Sequence, residues 1–344
     1  MISPRILVTR MDRLGDVLLA LPVIERLRAQ FPEGRIDFLC RPEIGEAISP
    51  YLEAKDVGLV ASDGVLREKK YDAALYLFAP LTLVVQGLRA GIRLRVGSYS
   101  KPLSFILFNG GTRQHRSCSE KNEAEYNLEL AGVLAARLGS AGIGFLPAPV
   151  EIPPTQQSVS EASKALSRLG LGSGDPFLVC HPGMGGSALN LSATNYTMLL
   201  DLIRARFQFP VVLTRGPAVR DSQLVDQITA IRRDYLVLDR VSLPGLREVF
   251  RKTRLVIAPS TGPLHLAHYV GARTIGIYSP VRSQRAQRWA PWGGTGASSV
   301  LYPVVECPGE RDCLGSRCVE FSCMDRAQWS ELLQRELARI AFLR

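Results

Sequence analysis

Short runs of β-branched and aliphatic residues alternate along the chain with longer stretches in which apolar positions recur every three to four residues. The short runs predict strands: Arg5–Thr9, Ile36–Cys40, Val57–Val60, Ala73–Leu77 and Leu94–Gly97 in the first half. In the second half they are Phe177–Cys180, Val211–Thr214, Tyr235–Leu238, Leu255–Ala258 and Thr274–Tyr278. Between them Asp16–Phe31, Asn122–Leu138, Ala193–Phe207 and Arg220–Arg232 predict helices, with Pro22 kinking or restarting the first. Strands of near-continuous apolar character separated by helices indicate parallel sheets covered on both faces. The alternation restarts once, after the Pro-rich polar stretch between Leu146 and Ser158, which reads as an interdomain linker. Two doubly wound α/β domains are expected, at 1–155 and 156–325. A terminal amphipathic helix follows in 326–344, with Trp329, Leu332, Leu333, Leu337 and Ile340 on one side. Ligands of such domains bind beyond the carboxyl ends of the strands, so the loops after the strands are where chemistry is sought.

Composition narrows the partners more than the fold. The chain has 344 residues, 46% apolar and 22% charged, which excludes disorder and collagen-like repeats. Its 42 Lys and Arg against 32 Asp and Glu leave a formal charge of +10, which calls for an acidic partner. The basic residues are 35 Arg and 7 Lys, an excess that suits forked recognition of phosphate and carboxylate and is equally what a GC-rich genome produces. Arg89, Arg93, Arg95, Lys101, Arg113, Arg116 and Lys121 face a single acid, Glu120, within residues 89–121, a net +6. That cluster is either solvated surface or the seat of an anionic acceptor. Nucleic acid is set aside, because no RNP, KH or zinc-finger spacing occurs and no aromatics interleave the basics. Arg282, Arg285 and Arg288 make a second basic turn.

Ile6–Val8 is followed at once by Arg10, Asp12, Arg13 and Asp16, which a signal peptide would not tolerate. The run Ala73–Leu88 is shorter than a membrane span and broken by Pro80. Seven Cys in a chain of this length argue against a secreted disulfide framework. A cytoplasmic protein touching at most a membrane surface is the expectation. Cys307, Cys313, Cys318 and Cys323 have the number for a tetrahedral zinc site but lack C-x2-C knuckles. Reduced or disulfide-paired thiols fit as well, and no metal is assigned.

The loops hold the candidate chemistry. After the first strand, Gly15 permits a tight turn and Asp16 opens a helix, either as a plain N-cap or as a general base projecting into a cleft. After Phe177–Cys180, the turn His181-Pro182-Gly183-Met184-Gly185-Gly186-Ser187 exposes amides that could cradle a diphosphate, or is simply a turn. Read literally, Gly183 to Ala188 fits a dinucleotide fingerprint, yet no helix follows at once and the next strand ends at Arg215 instead of an acid. Thr214 and Arg215 should reach a nucleoside. Asp221 is a candidate for ribose hydroxyls, although solvated helix surface explains it equally. Ser260, Thr261, Gly262 and Pro263 lead from a strand into a helix start that makes an anion site. His265, on that helix, is either a satisfied core residue or a donor to a developing charge.

Several blocks together resemble the lipopolysaccharide heptosyltransferase family, glycosyltransferase family 9. They are Arg10 to Pro22, Lys70 to Leu75, Arg95-Val96-Gly97, His181-Pro182-Gly183, Ser260 to Ala267 and Trp289 to Gly293, in the family's order. The resemblance implies a GT-B fold of two facing Rossmann-like domains, acceptor on the first and nucleotide sugar on the second, with the last helix crossing back to the first domain. It implies inverting, metal-independent transfer requiring no cofactor, with Asp16 as catalytic base. The donor implied is a nucleotide-diphospho-sugar such as ADP-heptose. Gly15, His181, Gly183, Gly185, Gly186, Ser187, Thr214, Arg215, Asp221, Ser260, Thr261, Gly262, Pro263 and His265 would hold it. The acceptor implied is an anionic, lipid-linked core saccharide. Arg10, Arg13, Arg95, Lys101, Arg113, Arg116 and Lys121 would meet it at the cytoplasmic face of the inner membrane, with the protein a monomer. The chain departs from the family at Leu189 and Leu191, where a basic residue and a Trp are usual, and at Ser260, where an Asp is frequent. Another sugar donor, a non-catalytic sugar-nucleotide or lipid binder, and a nicotinamide-dependent oxidoreductase remain open alternatives.

Overall fold

The computed structural model describes residues 3–60, 66, 70–100, 103–140 and 148–339. They form two units, Met1–Arg116 with Lys121–Pro153, and Pro154–Arg344 with Ser117–Glu120. The first unit contains β1 (Arg5–Arg10), α1 (Leu14–Leu18), α2 (Leu21–Gln30), β2 (Arg35–Leu39), α3 (Pro42–Ala54), β3 (Val57–Val60), β4 (Ala73–Phe78), α4 (Leu81–Arg89), β5 (Leu94–Ser98), α5 (Ser104–Leu107), β6 (Gly110–Thr112) and α6 (Glu123–Arg137). The second contains α7 (Gln156–Arg168), β7 (Leu178–Cys180), α8 (Ala193–Phe207), β8 (Val211–Thr214), α9 (Val219–Ile231), β9 (Leu236–Leu238), α10 (Leu243–Lys252), β10 (Leu255–Pro259), α11 (Gly262–His268), β11 (Thr274–Ile277), α12 (Ala286–Trp289), β12 (Ser298–Leu301), α13 (Cys323–Arg326) and α14 (Trp329–Arg339).

Each unit is built on a parallel six-stranded sheet. The first is ordered β3-β2-β1-β4-β5-β6 and the second β9-β8-β7-β10-β11-β12, the same winding repeated. The central strands Ile6–Val8 and Leu255–Ala258 are wholly enclosed, as strands covered on both faces must be. In each sheet the order reverses beside the first strand, between β1 and β4 and between β7 and β10. Chain leaving these strands diverges there, and the crevice that results is where doubly wound folds take ligands.

The expected strands are all present within a residue or so of their ends. Two more, β6 and β12, were not anticipated. Both are short edge strands, one opening Gly-Gly and the other Ser-Ser, and neither holds more than two apolar residues to betray it. The helix expected over Asp16–Phe31 divides into α1 and α2 at Leu19-Ala20, with Pro22 at the second position of the new helix, where its missing N–H costs nothing. The apolar face of the final helix joins the second unit: Trp329, Leu333 and Leu337 enter the core of Leu199, Leu200 and Leu213, and α14 packs on α8 and β12. Ile340 lies outside the described residues.

Candidate functional site

At the first reversal point, β1 ends in Arg10, and the loop Met11-Asp12-Arg13 turns into α1. Arg10 is buried and surrounded by acids. Its Nε donates to Asp12 Oδ1 (2.8 Å) and its Nη2 to Asp16 Oδ1 (2.6 Å). Its Nη1 donates to Glu123 Oε1 (3.0 Å) and Asn127 Oδ1 (3.2 Å) on α6. Glu123 also takes Arg116 Nη1, and Asn127 Nδ2 donates to the carbonyl of Leu19 (3.1 Å), so α6 braces both Arg10 and the end of α1. Burial alone would push the Arg10 guanidinium down, but Asp12, Glu123 and Asp16 together hold it well above its ordinary value. Burial pushes Asp12 up to about 6 and neighbouring Asp16 adds to this, with Arg10 opposing.

Asp16 is not the N-cap of α1. That position is Arg13, whose side chain makes no capping bond, and Asp16 sits within the first turn, where the helix dipole favours a negative charge. Oδ1 is held by Arg10; Oδ2 has no hydrogen-bond partner among the described residues. An oriented carboxylate with one open oxygen is the geometry a general base needs.

Among the expected acceptor contacts, Arg13 and Arg113 are exposed, and their side chains make no hydrogen bond or ion pair among the described residues. The others are tied to the protein. Arg95 bonds the carbonyls of Leu107 (2.9 Å) and Ile92 (2.6 Å), Arg116 holds Gln114 and Glu123, and Lys121 pairs with Glu129. Arg10 is enclosed by its carboxylates and positions Asp16 instead of meeting solvent. Lys101 lies outside the described residues.

At the second reversal point, β7 runs into His181 and the Gly-rich turn. His181 is buried, its Nδ1 2.8 Å from Thr214 Oγ1 at the end of β8, and burial lowers it to about 4. Asp221, on the first turn of α9, is buried beneath the Gly-rich turn. Its carboxylate accepts the amides of Met184 (3.1 Å) and Gly185 (3.2 Å). Two amides expected to cradle a diphosphate are therefore occupied by the chain's own carboxylate, and Asp221 is neither solvated surface nor open to a ribose through those bonds. A Cβ at Gly183 would lie 2.6 Å from the Asp221 carboxyl carbon, and one at Gly216 2.4 Å from its Oδ2, so both glycines make room for this side chain. Gly185, Gly186 and Ser187 are exposed, the first two with positive φ. Arg215, expected at the nucleoside, is instead ion-paired with Asp226 and Asp239 (both 2.7 Å). Leu191, a departure from the family pattern, is buried in the core, and Asn190 anchors the loop through Pro182 O and Tyr196 Oη.

The loop after β10 delivers half-buried Ser260, Thr261, Gly262 and Pro263 into α11. Thr261 occupies the N-cap position, but its side chain makes no cap bond. Two buried histidines three residues apart on α11 differ in kind. His268 is satisfied, accepting the Gly294 amide at Nε2 (3.1 Å) and pairing Nδ1 with Ser298 Oγ (3.0 Å). His265 Nδ1 has no partner among the described residues. Burial lowers His268 to about 4; burial, with His268 alongside, lowers His265 to about 3. An orphaned buried nitrogen on a neutral ring is uncommon in folded proteins, and of the two rings His265 carries one and His268 does not.

Cys323 lies within electrostatic reach of the other three C-terminal thiols: burial first, then Cys307, Cys313 and Cys318, push it up. No disulfide links them, and among the described residues no three His, Cys, Asp or Glu are grouped so as to hold a metal ion. Asp12, Glu123 and Asn127 belong to the site but carried no sequence signal of their own. Glu123 was visible only as the start of a helix capped by Asn122.

The sequence model of glycosyltransferase family 9 (heptosyltransferase) matches residues 65–299. A Haemophilus influenzae protein described as a candidate glycosyltransferase is 29% identical over 322 residues, covering 88% of this chain and 89% of its own. A family 9 glycosyl transferase from Veillonella parvula superposes with a TM-score of 0.70 at 19% identity, over 87% of this chain and 86% of that one. ADP-heptose lps heptosyltransferase II of Escherichia coli gives 0.67 at 19% identity, over 97% and 99%. The E. coli heptosyltransferase WaaC with ADP gives 0.61 at 18%, over 89% and 94%.

Proposed function

The chain belongs to glycosyltransferase family 9, the heptosyltransferases, and from that premise we propose that it moves heptose from ADP-heptose to an anionic, lipid-linked core saccharide. The observation that carries the reading is Asp16, clamped through Oδ1 and open at Oδ2. In this reading Oδ2 accepts the proton of an acceptor hydroxyl. The freed oxygen pair attacks the anomeric carbon, the bond to the diphosphate breaks from the opposite side, and ADP leaves with the electron pair, so configuration inverts. His265 and the half-buried Ser260–Gly262 segment meet the charge that develops on the diphosphate, which lets transfer proceed without a metal ion. Exposed Gly185, Gly186 and Ser187 border the same donor, and exposed Arg13 and Arg113 receive anionic groups of the acceptor.

We place the protein as a monomer at the cytoplasmic face of the membrane that carries its acceptor; among the described residues no helix is long and apolar enough to cross one. The test is Asp16→Ala with ADP-heptose, with a panel of UDP- and GDP-sugars alongside. Loss of transfer with ADP binding retained supports the assignment. Turnover within a few-fold of the unaltered protein refutes it, and a preference for another nucleotide sugar refutes the donor.

A further inference from the structure

Between Asp72 and Glu120 the chain carries no acidic residue, yet that stretch holds Arg89, Arg93, Arg95, Lys101, Arg113 and Arg116. It also holds the densest group of exposed large apolar side chains in the first unit: Phe78, Leu81, Leu88, Leu103, Phe105 and Ile106, the last 75% exposed. Their exposure follows from how α4 and α5 pack. The inner face of α4, Leu83, Val84 and Gly87, is buried against the sheet, and Gly87 lies so close to Tyr76 that an added Cβ would meet its hydroxyl at 2.0 Å. Leu81 and Leu88, seven residues apart, therefore share the outer face. α5 packs beside α4; just after it Phe108 stacks on Tyr76 at the inner side, while Phe105, one face against Tyr99, and Ile106 remain more than half exposed. Arg89, in the last turn of α4, and Arg93, just before β5, are exposed.

Exposed apolar side chains rimmed by charges of one sign mark a surface that is covered in use. A second copy of the chain is a poor cover. A twofold contact would bring this Arg-bearing face, built from a stretch without acids, against itself and set like charge on like. An anionic bilayer answers both features, with headgroups for the guanidinium groups and an acyl boundary for the leucines, Phe105 and Ile106. We infer that the α4–α5 face is a docking surface for an anionic lipid bilayer. The face adjoins the Asp16 site: the Phe78 amide neighbourhood is joined to the loop through the Met11 N–H to Phe78 O bond (3.1 Å), and the Arg10 guanidinium lies 6.0 Å from the Phe78 ring centre. The inference deepens the proposed function and rests on it only in saying why the acceptor is lipid-linked.

The experiment is flotation of the full-length protein with vesicles of phosphatidylcholine alone and with vesicles that also contain phosphatidylglycerol. No nucleotide or acceptor is present. Three variants accompany it: Leu81→Ser with Leu88→Ser, Phe105→Ser with Ile106→Ser, and Arg89→Gln with Arg93→Gln. All six positions are exposed, and an unchanged melting temperature confirms folding. The unaltered protein should bind the anionic vesicles and largely ignore the neutral ones. The Arg pair should weaken binding roughly twenty-fold, and each apolar pair roughly tenfold. Absence of binding to anionic vesicles, equal binding to both kinds, or variants that bind as the unaltered protein does would overturn the inference. So would a concentration-dependent dimer that the apolar variants dissolve, which would assign the face to a second copy. Vesicle binding without sugar transfer sinks the proposed function alone; transfer without vesicle binding sinks the docking surface alone.

Discussion

The two units repeat one winding, but their reversal points are furnished oppositely. In the first, a buried guanidinium collects Asp12, Asp16 and Glu123, so the crevice is crowded with full charges, three carboxylates around one cation. In the second, the buried groups are neutral imidazoles and glycine amides, with the one enclosed carboxylate, Asp221, bonded to the turn itself. The same scaffold thus supports one crevice holding a cluster of carboxylates and another lined by neutral groups. Topology locates both crevices; side chains alone decide what each can do.

The sharpest way to break this contrast is at Asp16. Asp16→Ala should lower transfer by about a thousandfold or more, with the melting temperature and ADP titration by calorimetry little changed, because Arg10 keeps Asp12 and Glu123. Arg10→Met should behave differently. It leaves buried carboxylates without their cation and should cost about 3–5 kcal/mol in denaturant unfolding. A stability equal to the unaltered protein would show that the acids are not balanced through Arg10.

In the second unit the two histidines of α11 separate binding from structure. His265→Gln should reduce kcat by roughly ten- to a hundredfold without shifting the melting temperature. His268→Ala, which strips partners from Gly294 and Ser298, should lose about 1–3 kcal/mol of stability and leave kcat nearly intact. The reverse pattern would exchange their roles.

The remaining effect concerns pH, and its sign differs between the units. His181, His265 and His268 sit at about 4, 3 and 4, below the ordinary histidine value, so the unfolded chain binds more protons than the folded one once pH drops below about 6.5. Their contribution is complete above that value and is lost on acidification, by at most ~1.4 kcal/mol per pH unit for each ring. Asp12, raised to about 6 from 3.8, holds its proton longer in the fold, so its contribution falls as pH rises through that window. Hydrogen exchange followed by peptide mass spectrometry at pH 7 and pH 4.5 should show protection falling around α11 and β7. Around β1 it should fall less or rise. Equal loss in both places would contradict the assignment.

Much of the scaffold was legible because its central strands are enclosed on both faces and must be written in apolar residues. The edges β6 and β12 were not, since a half-exposed strand can be written as Gly-Gly or Ser-Ser. The loop positions of Asp16, His181 and His265 were also legible, because a strand end followed by a helix start leaves few residues to choose from. Their partners were not. Arg10 is linked to Glu123 across more than a hundred residues, and only the packing of α6 on the sheet side of α2 brings them together. Asp221 and Arg215 were read as ligand contacts for the same reason: nothing in their neighbourhood announces that one closes under the Gly-rich turn and the other onto Asp226 and Asp239.

Gly183 and Gly216 are pressed against opposite parts of the Asp221 carboxylate, one towards its carbon and one towards its oxygen. The three positions form a mould and its casting, and a lineage cannot alter either glycine first. A side chain at either glycine is admissible only after Asp221 has shrunk, whereas replacing Asp221 first would leave a void that the turn could later fill. Among descendants of a common ancestor, the order of change is thereby constrained: the carboxylate must go before either glycine does.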